Sequence, residues 1–319
     1  MHIEVWADMV CPWAYIGKRR LEKALAGRTA EVVWRPVRID PTAPAQATPV
    51  AGPSTAPPGQ CAVDPVASAG ALPQDVLQVA EREGFPQDWG PAWRVSSHDA
   101  HRLALLAYEH GGSALQNRVV EQIMNAYFLD GADIGDRRIL HHIAARTGLG
   151  DRAALLDTDA ADRGVRELLL IGKARSLTTS PTFVIGNRSL VGAQSVEAIV
   201  EFLTAAKDFS TRQLPEEVNR LRWSESLLEQ RGPLGALTLL QPLLDQHADD
   251  VNVRRLAARA YFHSAQLSRA HDVLRSLAAD APDDAYVRLL LGRTLQRLGQ
   301  DDEAAVHLKV AAAMNPDYA

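Results

Sequence analysis

Cys11 stands directly before Pro12, Trp13 and Ala14 and shortly after the run Ile3-Glu4-Val5-Trp6. This order predicts a strand, then a helix with Pro12 in its first position, where a missing N–H is harmless. A sulfur at that join faces unpaired backbone N–H groups and the positive end of the helix dipole, so Cys11 is expected to have a depressed pKa. The thiolate is the nucleophile of disulfide exchange. Far along the chain, Thr179-Ser180-Pro181-Thr182 precedes a second strand-like run. A cis Pro181 there would leave the preceding backbone free to meet an extended substrate. The two features suggest one fold.

His98 and His101 are three apart on one predicted helical face and, with Asp99, have the residue types of a metal or acid–base site. A cap at Ser96 or Ser97 with His98 in the first turn accounts for the same letters, so no metal is expected. His141 and His142 are adjacent, point in different directions on a helix and read as structural or solvated. Trp6, Trp13 and Trp34 read as core or cleft wall. The chain has two cysteines, Cys11 and Cys61, which allows one disulfide and no multi-cysteine zinc site. Cys61 lies in the uncharged run from Pro41 to Val63, whose prolines make it a loop rather than a membrane span.

The elements that must position these residues follow from local pattern. Strand character covers residues 3–6 and 31–39, with helical composition from Pro12 to Leu25 between them, a strand–helix–strand unit. Helical stretches follow at 74–83, 98–110, 114–128, 136–147 and 159–174. Strands return at 182–185 and 189–191, with a last helix over 196–206. A mixed sheet interrupted by a helical insertion is the simplest assembly.

The last third repeats with a period of 34: Ala236, Ala270 and Ala304 are in register, as are Leu240, Leu274 and Leu308. Ser224, Ala258 and Gly292 form a small-residue column, Leu227, Tyr261 and Leu295 an apolar one, and Ala248, Pro282 and Pro316 end each unit. Small residues let paired helices approach, apolar columns fill between them, and proline stops the second helix. The pattern resembles the tetratricopeptide repeat family, over repeats at 217–250, 251–284 and 285–318. That resemblance implies a concave groove carrying Asn252, Arg255, Arg259, Arg293 and Arg297. Four guanidiniums there would grip carboxylates of an acidic peptide or carrier domain.

The segment from Val5 to Arg19, around Cys11-Pro12-Trp13-Ala14-Tyr15-Ile16-Gly17, resembles the FrnE branch of the DsbA-like thioredoxin-fold oxidoreductases. Asp99-Ala100-His101-Arg102-Leu103, Ala126-Tyr127-Phe128, Asp133-Ile134-Gly135-Asp136, Ser180 to Ile185 and Val191-Gly192-Ala193-Gln194 extend it over about residues 1–207. The resemblance implies a thioredoxin fold with a helical insertion, Cys11 and the cis proline Pro181 as catalytic residues, and Pro12, Trp13, Ser180 and His101 around the substrate. Ala14 departs from the family pattern, which has a second cysteine there to resolve the mixed disulfide. A trapped form, a monothiol enzyme resolved by an external thiol, and a resolving role for Cys61 all follow from that departure. The hydroxychromene-carboxylate isomerases and kappa-class glutathione transferases share the insertion, with serine at the position of Cys11. They keep a small-molecule thiol substrate in view.

A chain of 319 residues suits two domains at about 100 to 200 residues each. A formal charge of -5 gives no reason to expect nucleic acid. No basic, apolar leader opens the chain, so a cytoplasmic location is expected, with no membrane partner. The reading is an α/β thioredoxin fold with helical insertion at about 70–175 inside domain 1–209, followed by an all-α tetratricopeptide repeat domain at 216–319. Its expected function is thiol–disulfide oxidoreduction on a protein or small-molecule thiol. It needs no cofactor beyond a low-molecular-weight thiol. The alternative is a noncatalytic interaction protein on a redox-inactive scaffold. Val306, Leu308, Val310, Ala311 and Met314 cannot all be buried within the last repeat, so the first domain or, preferentially, a second copy in a homodimer is expected to cover them.

Overall fold

The computed structural model describes residues 1–50, 72–206 and 214–318. Cys61 and most of the joint between the domains, with the readings placed on them, lie outside the described residues. The rest divides into two compact units, the second beginning just before the repeats.

The first unit opens with β1 (His2–Ala7), α1 (Pro12–Ala24) and β2 (Glu31–Pro36). Alternation in β1 sends Ile3, Val5 and Ala7 into the core, each at most 2% exposed. Next come β3 (Thr48–Pro49), α2 (Gln74–Arg82), β4 (Trp93–Arg94), α3 (His98–Phe128), α4 (Arg137–Thr147), a 3-10 turn at Gly150–Asp157 and α5 (Asp162–Ala174). The chain then returns through β5 (Thr182–Ile185), β6 (Arg188–Val191) and α6 (Val196–Ala205). The sheet order is β2-β1-β5-β6, with β1 parallel to β2 and antiparallel to β5, and β5 antiparallel to β6. Parallel β1 and β2 require a crossover, which α1 supplies. The join of β1 to α1 is thereby held next to the start of β5.

The insertion is fixed to this frame by side chains. Buried Gln116 of α3 accepts the Trp34 N–H at 2.8 Å and donates to the Trp34 carbonyl at 2.9 Å, which satisfies the outer edge of β2 as a further strand would. Tyr15 of α1 packs on Phe85 with ring centroids 4.7 Å apart, and Trp89 stacks on both Phe85 and Phe128. Buried Arg102 donates to the carbonyls of Leu156, Thr158 and Ala160 and pairs with Asp99, tying α3 to the segment before α5.

Some elements differ from expectation. The strand predicted to Ile39 ends at Pro36, where its partner β1 also ends. The helices predicted at 98–110 and 114–128 are continuous but for a break at Gly111 and Gly112, the latter at φ 64°. The short β3–β4 ribbon was not expected, since two residues carry no periodic signal.

The second unit holds three helix pairs: α7 (Glu216–Glu229) with α8 (Pro233–Gln246), α9 (Val251–His263) with α10 (Leu267–Asp280), and α11 (Ala285–Arg297) with α12 (Asp301–Met314). Ala236, Ala270 and Ala304 are each fully buried. Asp250 and Asp284, also 34 apart, cap α9 and α11 with their carboxylates. The turn inside each pair takes a left-handed residue, Arg231, Ala265 and Gly299, again in register. Val306 is 61% and Met314 44% exposed.

Candidate active site around Cys11

Cys11 is the N-cap of α1 with Pro12 following at the first helical position, and the Ser180–Pro181 peptide is cis. The thiol donates to the Ser180 carbonyl at 3.4 Å. The Ser180 hydroxyl accepts the N–H of Asp8 at 2.9 Å, and the Asp8 carbonyl accepts the N–H of Cys11. The turn carrying the sulfur is thus bonded directly to the segment before β5. Trp13 is half-buried beside it.

Ala14 is fully buried in the same core cluster, so its methyl occupies the place where a second sulfur would stand. Among the described residues Cys11 is the one free cysteine.

The expected depressed pKa is not found. The Cys11 thiol is pushed up to about 11, chiefly by burial, with the negative charge of Asp8 acting in the same direction. Hydrogen bonding from Ser180 and from the N–H groups of Ala14 and Trp13 pulls the other way and does not prevail. The helix-end argument fails because the sulfur is shut off from water, and burial penalises the charged form of any acid.

Asp8 was the residue that sequence reasoning left without a role. It is 1% exposed, and its carboxylate accepts the N–H of Ile39 at 2.8 Å and lies 3.4 Å from Nε2 of His101. That Nε2 also lies 3.2 Å from the Val37 carbonyl. A carbonyl can only accept, so Nε2 carries the hydrogen and faces both oxygens. His101 is therefore buried behind the thiol turn rather than open to a substrate. A carboxylate three residues before a cysteine at a strand end is the signal that could have marked Asp8.

His98 pairs with Asp162 at 2.7 Å, and the N–H of His98 reaches the Ser96 hydroxyl at 3.4 Å. Ser97 holds the N-cap position without a side-chain bond. His141 is near Asp157. No group of three potential metal ligands occurs among the described residues.

In the second unit Arg255 is bound to Asp284 at 2.5 Å, Arg259 to Glu225 at 3.4 Å, and Arg297 to the Phe262 carbonyl at 2.9 Å. Of the four guanidiniums expected to be free, Arg293 alone stays exposed and without a partner among the described residues. Asn252 lies in the first turn of α9. The Nε groups of Arg255 and Arg259 are buried without an acceptor.

Residues 2–204 match the family of DSBA-like thioredoxin domains, and residues 227–294 match the tetratricopeptide repeat. YwbO, an uncharacterized protein of Bacillus subtilis (strain 168), is 27% identical over 197 residues, 60% of this chain and 90% of its own length. The crystal structure of a probable DsbA oxidoreductase from Streptomyces coelicolor shares 27% identity with a TM-score of 0.54, covering 67% of this chain and 93% of that one. The cytosolic disulfide reductase DsbM from Pseudomonas aeruginosa, solved with GSH, shares 18% identity with a TM-score of 0.46 over 66% of this chain and all of that one.

Proposed function

Because the chain belongs to the DSBA-like thioredoxin domain family, we propose that it is a thiol–disulfide oxidoreductase in which Cys11 acts as a single thiol. The observation that carries this reading is the Cys11 sulfur set 3.4 Å from the carbonyl before cis Pro181, with a buried methyl at Ala14. The probable DsbA oxidoreductase from Streptomyces coelicolor supports the reaction class. Cys11 reacts as its thiolate, the proton passing to solvent. The thiolate then attacks a substrate disulfide, forming a Cys11–substrate disulfide and releasing the other half as a thiolate. Ala14 has no sulfur to resolve this adduct, so a low-molecular-weight thiol attacks it, leaving with the bound half as a new disulfide and returning Cys11 to the reduced state. Pro12, Trp13 and Ser180 border the bound substrate, and a cytoplasmic setting belongs to the same proposal.

Incubation with an oxidised low-molecular-weight disulfide, followed by intact mass, tests it. One adduct on Cys11, absent in Cys11→Ser and discharged by added thiol, is the expected result. Ala14→Cys should discharge the adduct without added thiol. An adduct that persists in Cys11→Ser would point to Cys61 instead, and a wild-type chain carrying its adduct on Cys61 alone would sink the assignment.

The thiol's high pKa favours one second reading, a redox-inactive platform that binds extended chains at the Ser180–Pro181 segment. Failure of Cys11 to form any adduct at pH 8, with the fold intact, would select it. For the second unit the proposed partner is an acidic peptide or carrier domain, recognised by exposed Arg293 and by the partly exposed Arg259. An acidic peptide followed by fluorescence anisotropy should bind more weakly as salt rises and after Arg293→Ala or Arg259→Ala. Binding that survives both substitutions would place the partner elsewhere.

A further inference from the structure

A cleft of about 400 Å³ opens between α1, the second half of α3 and the end of α4, and none of the thiol-site residues lines it. Four cationic side chains, Lys18, Arg19, Arg118 and Arg146, face two carboxylates there, Glu22 and Glu121. The carboxylates are already engaged. Glu121 lies 2.5 Å from both Lys18 and Arg19, and Glu22 contacts the same two cations. Lys18 is 2% exposed, so its charge must be balanced inside the protein, and these two acids do so.

Arg118 and Arg146 are left over. Both are exposed, and neither has an ion pair or hydrogen bond with any described residue. Arg146 also suits the last turn of α4, where a cation meets the helix end. Arg118 sits inside its helix and has no such reason. Asn117 uses its side-chain oxygen for the Trp34 indole N–H, so its amide protons remain to donate, and Gln122 adds a second amide. Unpaired guanidiniums with amide donors in one concave site match the oxygens of phosphate or carboxylate groups. A cation would be repelled by the surplus of positive charge in this lining.

The geometry points to this cleft as a binding site for a small anion with two or more negative charges, of the phosphate or polycarboxylate class. It stands apart from the thiol chemistry, so Cys11→Ser leaves it intact. Calorimetric titration of the full chain with inorganic phosphate and, separately, with citrate tests it, against chloride at matched ionic strength. Saturable binding in at least one arm is expected, weakened about tenfold or more by Arg118→Ala or Arg146→Ala. Phosphate alone would assign a tetrahedral oxyanion, citrate alone a polycarboxylate, and both the shared class. No saturation in either arm up to about 10 mM, or unchanged binding in the double variant, overturns the proposal. Arg118→Gln with Arg146→Gln serves as the second variant if the alanine pair fails to fold.

Discussion

A Cβ placed on Gly17 would stand 2.8 Å from Cγ of Pro181, so α1 can lie against the cis proline only because residue 17 has no side chain. The same atom would be 3.4 Å from the Phe183 ring, which leaves the proline as the group that must yield. Gly17→Ala gains up to about 1 kcal/mol of helix propensity. The overpacking costs about 1 to 3 kcal/mol, so the net effect is destabilising. The displaced proline also carries the Ser180 carbonyl away from Cys11. Chemical denaturation should show reduced stability, and adduct formation at Cys11 should slow by more than the unfolded fraction explains. Unchanged adduct kinetics would show that Pro181 does not shape the thiol site.

The Cys11 thiol predicts a distinctive pH profile. Its pKa lies at about 11 rather than the ordinary 9.0, so alkylation should climb about tenfold per pH unit through neutral and mildly alkaline solution. Asp8→Asn removes a charge that raises this pKa while keeping an oxygen for the Ile39 N–H, and should move the inflection down. The linked stability has a definite sign. The folded protein holds this proton more tightly than the unfolded chain, so the contribution is complete below about 9 and lost as pH rises towards 11. Iodoacetamide labelling followed by mass against pH reads the first effect, and urea midpoints across that window read the second. An inflection near neutral pH would return the helix-end argument to favour.

The contrast between Cys11 and Asp8 shows what was legible in the sequence. Cys11-Pro12 and Ser180-Pro181 are local signals, and each stands where strand and helix patterns place it. Asp8 is held by Ile39, His101 and Ser180, which only the fold brings together, and it is the burial of the Cys11 sulfur, with the Asp8 charge adding to it, that reverses the expected direction of the thiol's pKa. The 34-residue register was equally legible because Ala236, Ala270 and Ala304 each meet the same close packing. The left-handed turns at Arg231 and Ala265 were not, since Gly299 alone carries the residue type that announces such a backbone. Arginine spacing showed shared helix faces and could not show that Asp284 and Glu225 already occupy them.

Glu121 holds the charge balance of buried Lys18, and its loss should cost more than that of any surface acid. Burial opposes its ionisation, yet Lys18 and Arg19 keep its carboxyl below the ordinary range. Its contribution is therefore present above the ordinary value of 4.5 and lost as pH falls. Glu121→Gln leaves Lys18 with Glu22 as its acidic partner and should destabilise by about 3 kcal/mol. Glu22→Gln, at an acid 42% exposed, should cost under about 1 kcal/mol. Equal losses by urea denaturation at pH 7 would show that Lys18 does not depend on Glu121.

In the second unit the small-residue column makes a prediction about a single methyl group. A Cβ on Gly292 would lie 2.7 Å from Cγ of Leu308 and 3.2 Å from the Ala304 carbonyl, so α11 and α12 are in contact at backbone distance. Ser224 and Ala258 tolerate a side chain at the equivalent positions of α7 and α9 and remain fully buried. Gly292→Ala improves helix propensity by about 1 kcal/mol, while the clash involves a branched carbon and a backbone oxygen that cannot swing away. The clash of about 1 to 3 kcal/mol should win, and the variant should unfold earlier. Leu308→Ala removes the obstructing carbons and leaves the Ala304 carbonyl, so Gly292→Ala added to that background should cost less than in the parent. A double-mutant cycle by thermal or urea unfolding reads the coupling directly. Additive losses would mean that the two helices do not meet at Gly292 and Leu308.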